Sequence, residues 1–201
     1  MFALIILWQL TITTTSFSCH NRANGFLCFG PATFVSVAFI LSQFGQQECS
    51  FVGLSDAEGQ DTRFFVKDNA AYAGIYCWQG VNGGKYYYPD DQPEKLQFAR
   101  QMALATTVMG AAAWLFYLFS SCIKYHPAIW FLVSLVLLAT TATQALQFQL
   151  FNDDLCSDGG CTFGRSTRLI ISACVFWFIS AIMTCGECVF GIEIAYMPRK
   201  D

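Results

Sequence analysis

Charge is what this sequence has least of. Only 12% of its 201 residues are Asp, Glu, Lys or Arg, about half the ~25% of an ordinary soluble domain. The shortage is concentrated. Residues 26–44, 102–122, 128–146 and 169–187 contain no charged side chain except Glu187 at the last boundary. Basic residues are also too few and too scattered for a nucleic-acid partner, with 11 Lys and Arg against 14 Asp and Glu and a net charge of −3; such a partner calls for a basic face. The chain has no P-loop, no Gly-x-Ser-x-Gly elbow, no His-Glu-x-x-His helix, no calcium-loop pattern and no Asn-x-Ser/Thr sequon, and these absences remove the common routes to a named substrate or metal. Neither a catalytic residue, nor a metal site, nor a cofactor is expected. A ten-residue alternating pattern is missing too, which excludes a membrane barrel.

Apolar residues are plentiful. They make up 55% of the chain, and mean hydropathy is +0.43. Each uncharged stretch is close to the ~20 residues that cross about 30 Å of hydrocarbon as a helix. A backbone in lipid must satisfy its own hydrogen bonds, so these stretches predict four transmembrane helices. Residues 1–25 form a separate hydrophobic segment. Residues 2–10 are apolar apart from Gln9, and the small residues Ser16 and Ser18 precede Cys19 as at a signal cleavage site, yet no Lys or Arg comes before them. A signal, an extra span and a segment on the membrane surface all stay open. Residues 26–201 then form one four-span domain with outer loops at about 45–99 and 147–168.

The first loop carries eight acids against Arg63, Lys67, Lys85 and Lys95. The second carries Asp153, Asp154 and Asp158 against Arg165 and Arg168. Cysteines orient the loops better than charge does. Cys49 and Cys77 lie in the first loop, Cys156 and Cys161 in the second, and even pairs in polar loops imply disulfides in an oxidising compartment. Both loops are then outside, the C-terminus is cytosolic, and the plasma membrane is the expected location. Pairing between the loops remains an alternative. Residues 49–54, 62–67 and 72–79 read as short strands, with turn residues at 56–61 and 81–84. A Cys49–Cys77 bridge would close a loop of about 29 residues and stabilise the fold by roughly 3–4 kcal/mol. The expected architecture is an all-α transmembrane four-helix bundle with a small disulfide-stapled extracellular β-sheet. Tyr76, Trp78, Tyr86, Tyr87 and Tyr88 either pack that sheet or form an interaction surface.

The run Gly74-Ile75-Tyr76-Cys77-Trp78 resembles the first-loop signature of the claudin and peripheral-myelin-protein superfamily, Gly-Leu-Trp followed by two cysteines. Residues 89–100, ending in Arg100, resemble that family's entry to its second span. The likeness covers most of the chain in layout and about 30 residues in motif. Tyr76 replaces the signature Trp, and no second cysteine follows Cys77 closely, so Cys49 would have to complete the bridge. The resemblance implies a membrane scaffold whose outer sheet contacts other membrane proteins in cis or trans, at a cell junction or as an auxiliary subunit of an ion channel, surrounded by the lipid bilayer and able to form homo-oligomers.

Cys185 and Cys188 form a Cys-x-x-Cys at the end of the last stretch. They read as palmitoylation sites, as packed thiols, or as the dithiol of a membrane thiol-disulfide oxidoreductase. Glu187 between them raises thiol pKa values and argues against the dithiol. An oligomeric ion-conducting pore is a further alternative, since acidic loops concentrate cations. Glu187 and Glu193 sit near a membrane boundary, where solvation suffices. His20 and His126 have no evident partners in sequence. Gly110–Ala113, preceded by Ala103 and Ala105, suits close helix packing.

Overall fold

The structure is a computed structural model that describes residues 25–54, 70–88, 94–120, 125–152 and 161–196, with side chains described from Gly30 to Gly186 within those segments except at Leu54, Ala70, Pro127 and Asn152. Among the described residues four helices carry it: α1 (Gly25–Gln47), α2 (Glu94–Ser120), α3 (Pro127–Leu146) and α4 (Arg165–Tyr196). A 3-10 turn, Gln147–Asn152, extends α3. Five short strands follow in chain order: β1 (Val52–Leu54), β2 (Ala70–Ala73), β3 (Cys77–Gly80), β4 (Lys85–Tyr87) and β5 (Cys161–Phe163). Among the described residues three helical stretches are long and apolar enough to cross a membrane: Glu94–Ser120, Ala128–Phe151 and Arg165–Gly186. Helix α1, 23 residues long, covers the expected first span at 26–44, whose side chains before Gly30 lie outside the described residues.

The buried positions explain how the helices meet. On α2 they are Leu96, Ala99, Ala103, Thr106, Gly110, Ala113, Tyr117 and Ser120. Steps of three and four residues alternate, the 3.5-residue repeat of left-handed helix packing. Most of these side chains are small, which lets backbones approach closely. The large apolar residues face outward instead: Leu104, Val108 and Phe119 on α2, Phe131 and Leu132 on α3, and Val175 and Ile182 on α4 are all more than half exposed. Gly110 shows the close fit. A Cβ there would lie 3.0 Å from the Trp177 ring and 3.3 Å from Phe39. Of the small-residue run, Gly110, Ala113 and Ala103 are buried as expected, whereas Ala112 is exposed. His126, without a partner in the sequence reading, caps α3: its Nδ1 accepts from the Ala128 amide at 3.2 Å, ahead of Pro127 in the first turn.

The interior has two apolar clusters. One lies within the bundle and includes Val35, Ala38, Tyr117, Leu137 and Trp177. The other lies beneath the sheet and includes Phe51, Val52, Ile75, Leu96, Leu150 and Ile170. Polar side chains from all four helices accompany them. Gln43 Nε2 donates to Thr107 Oγ1 at 3.0 Å, which in turn donates to Gln46 Oε1 at 3.0 Å. Thr106 bonds Thr143 at 2.9 Å, and Gln147 Nε2 donates to Thr106 at 3.3 Å. The Trp177 indole donates to Gln144 Oε1 at 3.1 Å. Among the described residues three buried side-chain atoms are left without a partner: Gln144 Nε2, Gln147 Oε1 and Ser166 Oγ.

The sheet is antiparallel, in the order β4-β3-β2-β1-β5. It differs from expectation in three ways, the first being β4, at residues not read as a strand. Residues 72–79 do not form one strand; the chain reverses at Gly74-Ile75-Tyr76, making a β2–β3 hairpin closed by the Gly74 amide on the Cys77 carbonyl at 2.8 Å. The second loop also contributes β5, so the sheet draws on both loops. The expected strand at 62–67 and turn at 56–61 lie outside the described residues. The turn at 81–84 is present: Gly83 has φ +80°, a left-handed conformation suited to glycine, and Asn82 Oδ1 accepts from the Gly84 amide at 3.2 Å.

Candidate contact surface and its anchorage

Three sets of bonds hold the sheet to the helices. The first is the disulfide between Cys49, just past α1, and Cys77, opening β3, with Cα atoms 5.0 Å apart. Gly74 lies against this bridge. A Cβ there would come within 2.7 Å of Cys49 Cα and of the Glu48 carbonyl oxygen, so only glycine fits the hairpin onto the staple. The second set joins residues 50–51 to the start of α4. The Gly164 and Ser166 amides donate to the Phe51 and Ser50 carbonyls at 3.0 and 3.2 Å, and the Thr167 hydroxyl donates to the Phe51 carbonyl. A Cβ on Gly164 would lie 1.8 Å from the Ser50 oxygen.

Arg100, one turn and a half into α2, clamps the hairpin from below. Its Nε donates to the Ile75 carbonyl at 2.8 Å, and its guanidinium carbon lies 5.7 Å from the Tyr76 ring centre and 5.4 Å from that of Tyr88. Both distances fall in the cation–π range. The Tyr88 hydroxyl donates to the Gly74 carbonyl at 3.1 Å. Burial raises the pKa of both phenols above the ordinary value, and the Arg100 charge offsets only part of that rise. Tyr76, Tyr88 and Arg100 thus form one support under residues 74–76.

The five aromatics therefore separate. Tyr76 and Tyr88 belong to the clamp. Trp78, for which packing and contact both stayed open, is 7% exposed and stacks on Tyr86 with ring centres 4.4 Å apart; its place between β2 and β4 makes it core. Tyr86 at 43% and Tyr87 at 83% exposed remain as surface on the edge strand β4. At the other edge Phe163 is 62% exposed, with its ring centre 5.1 Å from that of Phe151. Sequence reasoning named neither Phe163 nor the support role of Arg100. The alternation Cys161-Thr162-Phe163 before a glycine was the available signal for the former.

Cys161 is disulfide-bonded, in keeping with the loop-two expectation, while Cys156 lies outside the described residues. Cys185 is a free, exposed thiol. The Cys-x-x-Cys does not end the helix, which continues to Tyr196; the side chains of Glu187, Cys188 and Glu193 are outside the described residues. Along α4, the 20 residues from Arg165 to Cys185 rise about 30 Å, so Cys185 sits at the end remote from the sheet. No group of three or more His, Cys, Asp or Glu side chains capable of holding a metal occurs among the described residues. The chain matches no protein-family model and no curated protein sequence.

Proposed function

We propose that this chain is a claudin-like integral membrane protein whose four helices cross the bilayer and whose outer sheet makes contact with other membrane proteins, as a structural contact protein or as an accessory subunit of a larger membrane assembly. The observation that carries this reading is the sheet itself: strands from two loops, stapled by Cys49–Cys77 and clamped by Arg100, with the aromatic edge of β4 left open. A surface fixed to its base and exposed at its rim suits recognition, since rigid aromatics anchor interfaces at low entropic cost. Gly74, Cys77 and Arg100, from the stretches that carry the resemblance, meet in one place. The outward apolar residues and inward small or polar ones suit helices solvated by lipid. With the staple in an oxidising compartment, the sheet faces outward and Cys185 lies on the cytosolic side, where juxtamembrane cysteines are palmitoylated.

The thiol-oxidoreductase reading requires a dithiol that reaches a loop disulfide. The rise of about 30 Å along α4 separates Cys185 from the sheet and favours the structural reading. The test is cell-surface display of the full chain, with contact scored by aggregation of displaying cells or by crosslinking to neighbouring membrane proteins. Replacing both Tyr86 and Tyr87 with Ser should cut either signal at least tenfold while surface expression and the Cys49–Cys77 bridge persist. Undiminished contact by the double variant would overturn the reading.

A further inference from the structure

One face of the sheet carries a charge opposite to that of the chain. Lys85, Gln79, Tyr72, Gly53 and Thr162 pair successively across the ladder, one from each strand, and directly paired residues point to the same face. All but Gly53 line a groove of about 660 Å³ that continues to Arg165 and Arg168 in the first turn of α4. At the centre Gly53 keeps the floor low; a Cβ there would lie 2.5 Å from Thr162 Oγ1. Among the described residues three cations and one acid, Glu48, line the groove, a net of +2, in a protein of net −3. The Ser50 hydroxyl donates to Glu48 Oε2 at 3.3 Å. Lys85, Arg165 and Arg168 are all exposed.

We propose that this groove binds an extended acidic segment of a partner protein, with carboxylates at its two ends engaging Lys85 and the Arg165–Arg168 pair. The inference rests on the sheet being the contact surface and names the chemistry of what it contacts. Strands are spaced ~4.8 Å apart, so β4 and β5 are about 19 Å apart, the length of roughly six extended residues at ~3.3 Å each. Guanidinium forks bind carboxylates bidentately, and Lys85 supplies a point charge at the other end. Tyr72, 41% exposed, and the Gln79 amide face the middle of the segment. A lipid phosphate would occupy the arginine end alone and leave the Lys85 end unused. The shape therefore favours a peptide.

The full chain in nanodiscs of neutral lipid is titrated into a fluorescent eight-residue peptide with a glutamate pair at each end, and into its glutamine counterpart. The glutamate peptide should bind at least tenfold more tightly and weaken as salt rises. Lys85→Glu and Arg168→Glu should each lower its affinity tenfold or more with the Cys49–Cys77 bridge intact on a non-reducing gel. Because Arg168→Glu risks misfolding at the helix start, Lys85→Glu on the exposed edge is the deciding variant. Equal binding of the two peptides, or no effect of Lys85→Glu, overturns the proposal. So does displacement by phosphatidylglycerol vesicles that depends on Arg165 and Arg168 but not on Lys85, which would make the site a lipid headgroup site. Failure of the peptide beside tyrosine-dependent cell contact removes the groove proposal alone. Peptide binding without any such contact removes the contact reading.

Discussion

Three buried glutamines make a test in which one substitution has three outcomes. Gln147 is fully buried; its Nε2 makes one long bond to Thr106 at 3.3 Å, and its Oε1 has no partner. An unpaired buried polar group costs about 1–3 kcal/mol, while a side-chain hydrogen bond between membrane helices contributes ~0.6 kcal/mol on average. Gln147→Leu removes both and leaves Thr106 bonded to the Met102 carbonyl and to Thr143. The variant should be about 1–2 kcal/mol more stable. Gln144→Leu removes the orphaned Nε2 but strands the Trp177 indole N–H, so gain and loss of similar size should leave stability nearly unchanged. Gln46 has both ends occupied, accepting from Thr107 and donating to Ser42 at 3.2 Å. Gln46→Leu gains nothing and should cost about 1–2 kcal/mol. Unfolding of each variant in mild detergent, driven by rising SDS and followed by tryptophan fluorescence, reads the order directly. Destabilisation of Gln147→Leu by more than about 1 kcal/mol would refute the reasoning and place an internal water on Oε1, the usual partner of such a group.

Two further expectations concern the support beneath the hairpin. Arg100→Gln removes a charged hydrogen bond to the Ile75 carbonyl and two cation–π contacts; with allowance for partial exposure, about 2–3 kcal/mol of local stability should be lost. The Cys49–Cys77 bridge should then be reduced markedly faster by dithiothreitol, and an unchanged rate would show that the clamp does not hold the hairpin. The raised phenols of Tyr76 and Tyr88 set a pH limit. Their folded pKa values lie above the ordinary ~10, so their stability contribution is intact below pH 10 and is lost as pH rises through the folded values. Chemical denaturation should therefore show a decline from pH 10 upward that is shallower in Tyr88→Phe; equal slopes in the two proteins would contradict it.

The apolar stretches were legible because hydrocarbon thickness sets a length that composition alone reveals. What hydropathy could not show is which side of each helix faces its neighbours. In α2 the buried seam between Leu96 and Tyr117 is Ala, Thr and Gly, while Leu104, Val108 and Phe119 face outward. A search for a large apolar stripe therefore points the wrong way, and the informative signal was the alternation of three and four residues between small side chains. The sheet was partly legible for another reason. Glycines at 83 and 84 and Asn82 mark a turn by local chemistry, whereas the reversal at Gly74 is imposed by contact with Cys49 and Glu48, 25 residues away in sequence or more. The joining of β5 to β1 depends on Gly164 fitting against Ser50, a pairing across 114 residues that no local pattern announces. Trp78 was ambiguous because a strand places neighbouring aromatics on opposite faces. Only pairing with Ala73 and Tyr86 assigns it to the core.

The same contacts determine where the sheet can act. At its centre, β1 is tied to α4 through Gly164 and Thr167, β3 to α1 through Cys77, and the β2–β3 hairpin to α2 through Arg100. Three helices thus fix the middle strands, which leaves them little freedom to rearrange when a partner binds. The open edge strand β4 has all three residues exposed, and Lys85 and Tyr87, two residues apart, share one face of it. A partner meeting this sheet therefore finds a preorganised centre and an accessible rim, an arrangement in which affinity is not spent on ordering the receptor. Disruption of the supports should then weaken recognition without any contact residue being changed, and Arg100→Gln is the substitution in which stability of the staple and binding at the rim should fall together.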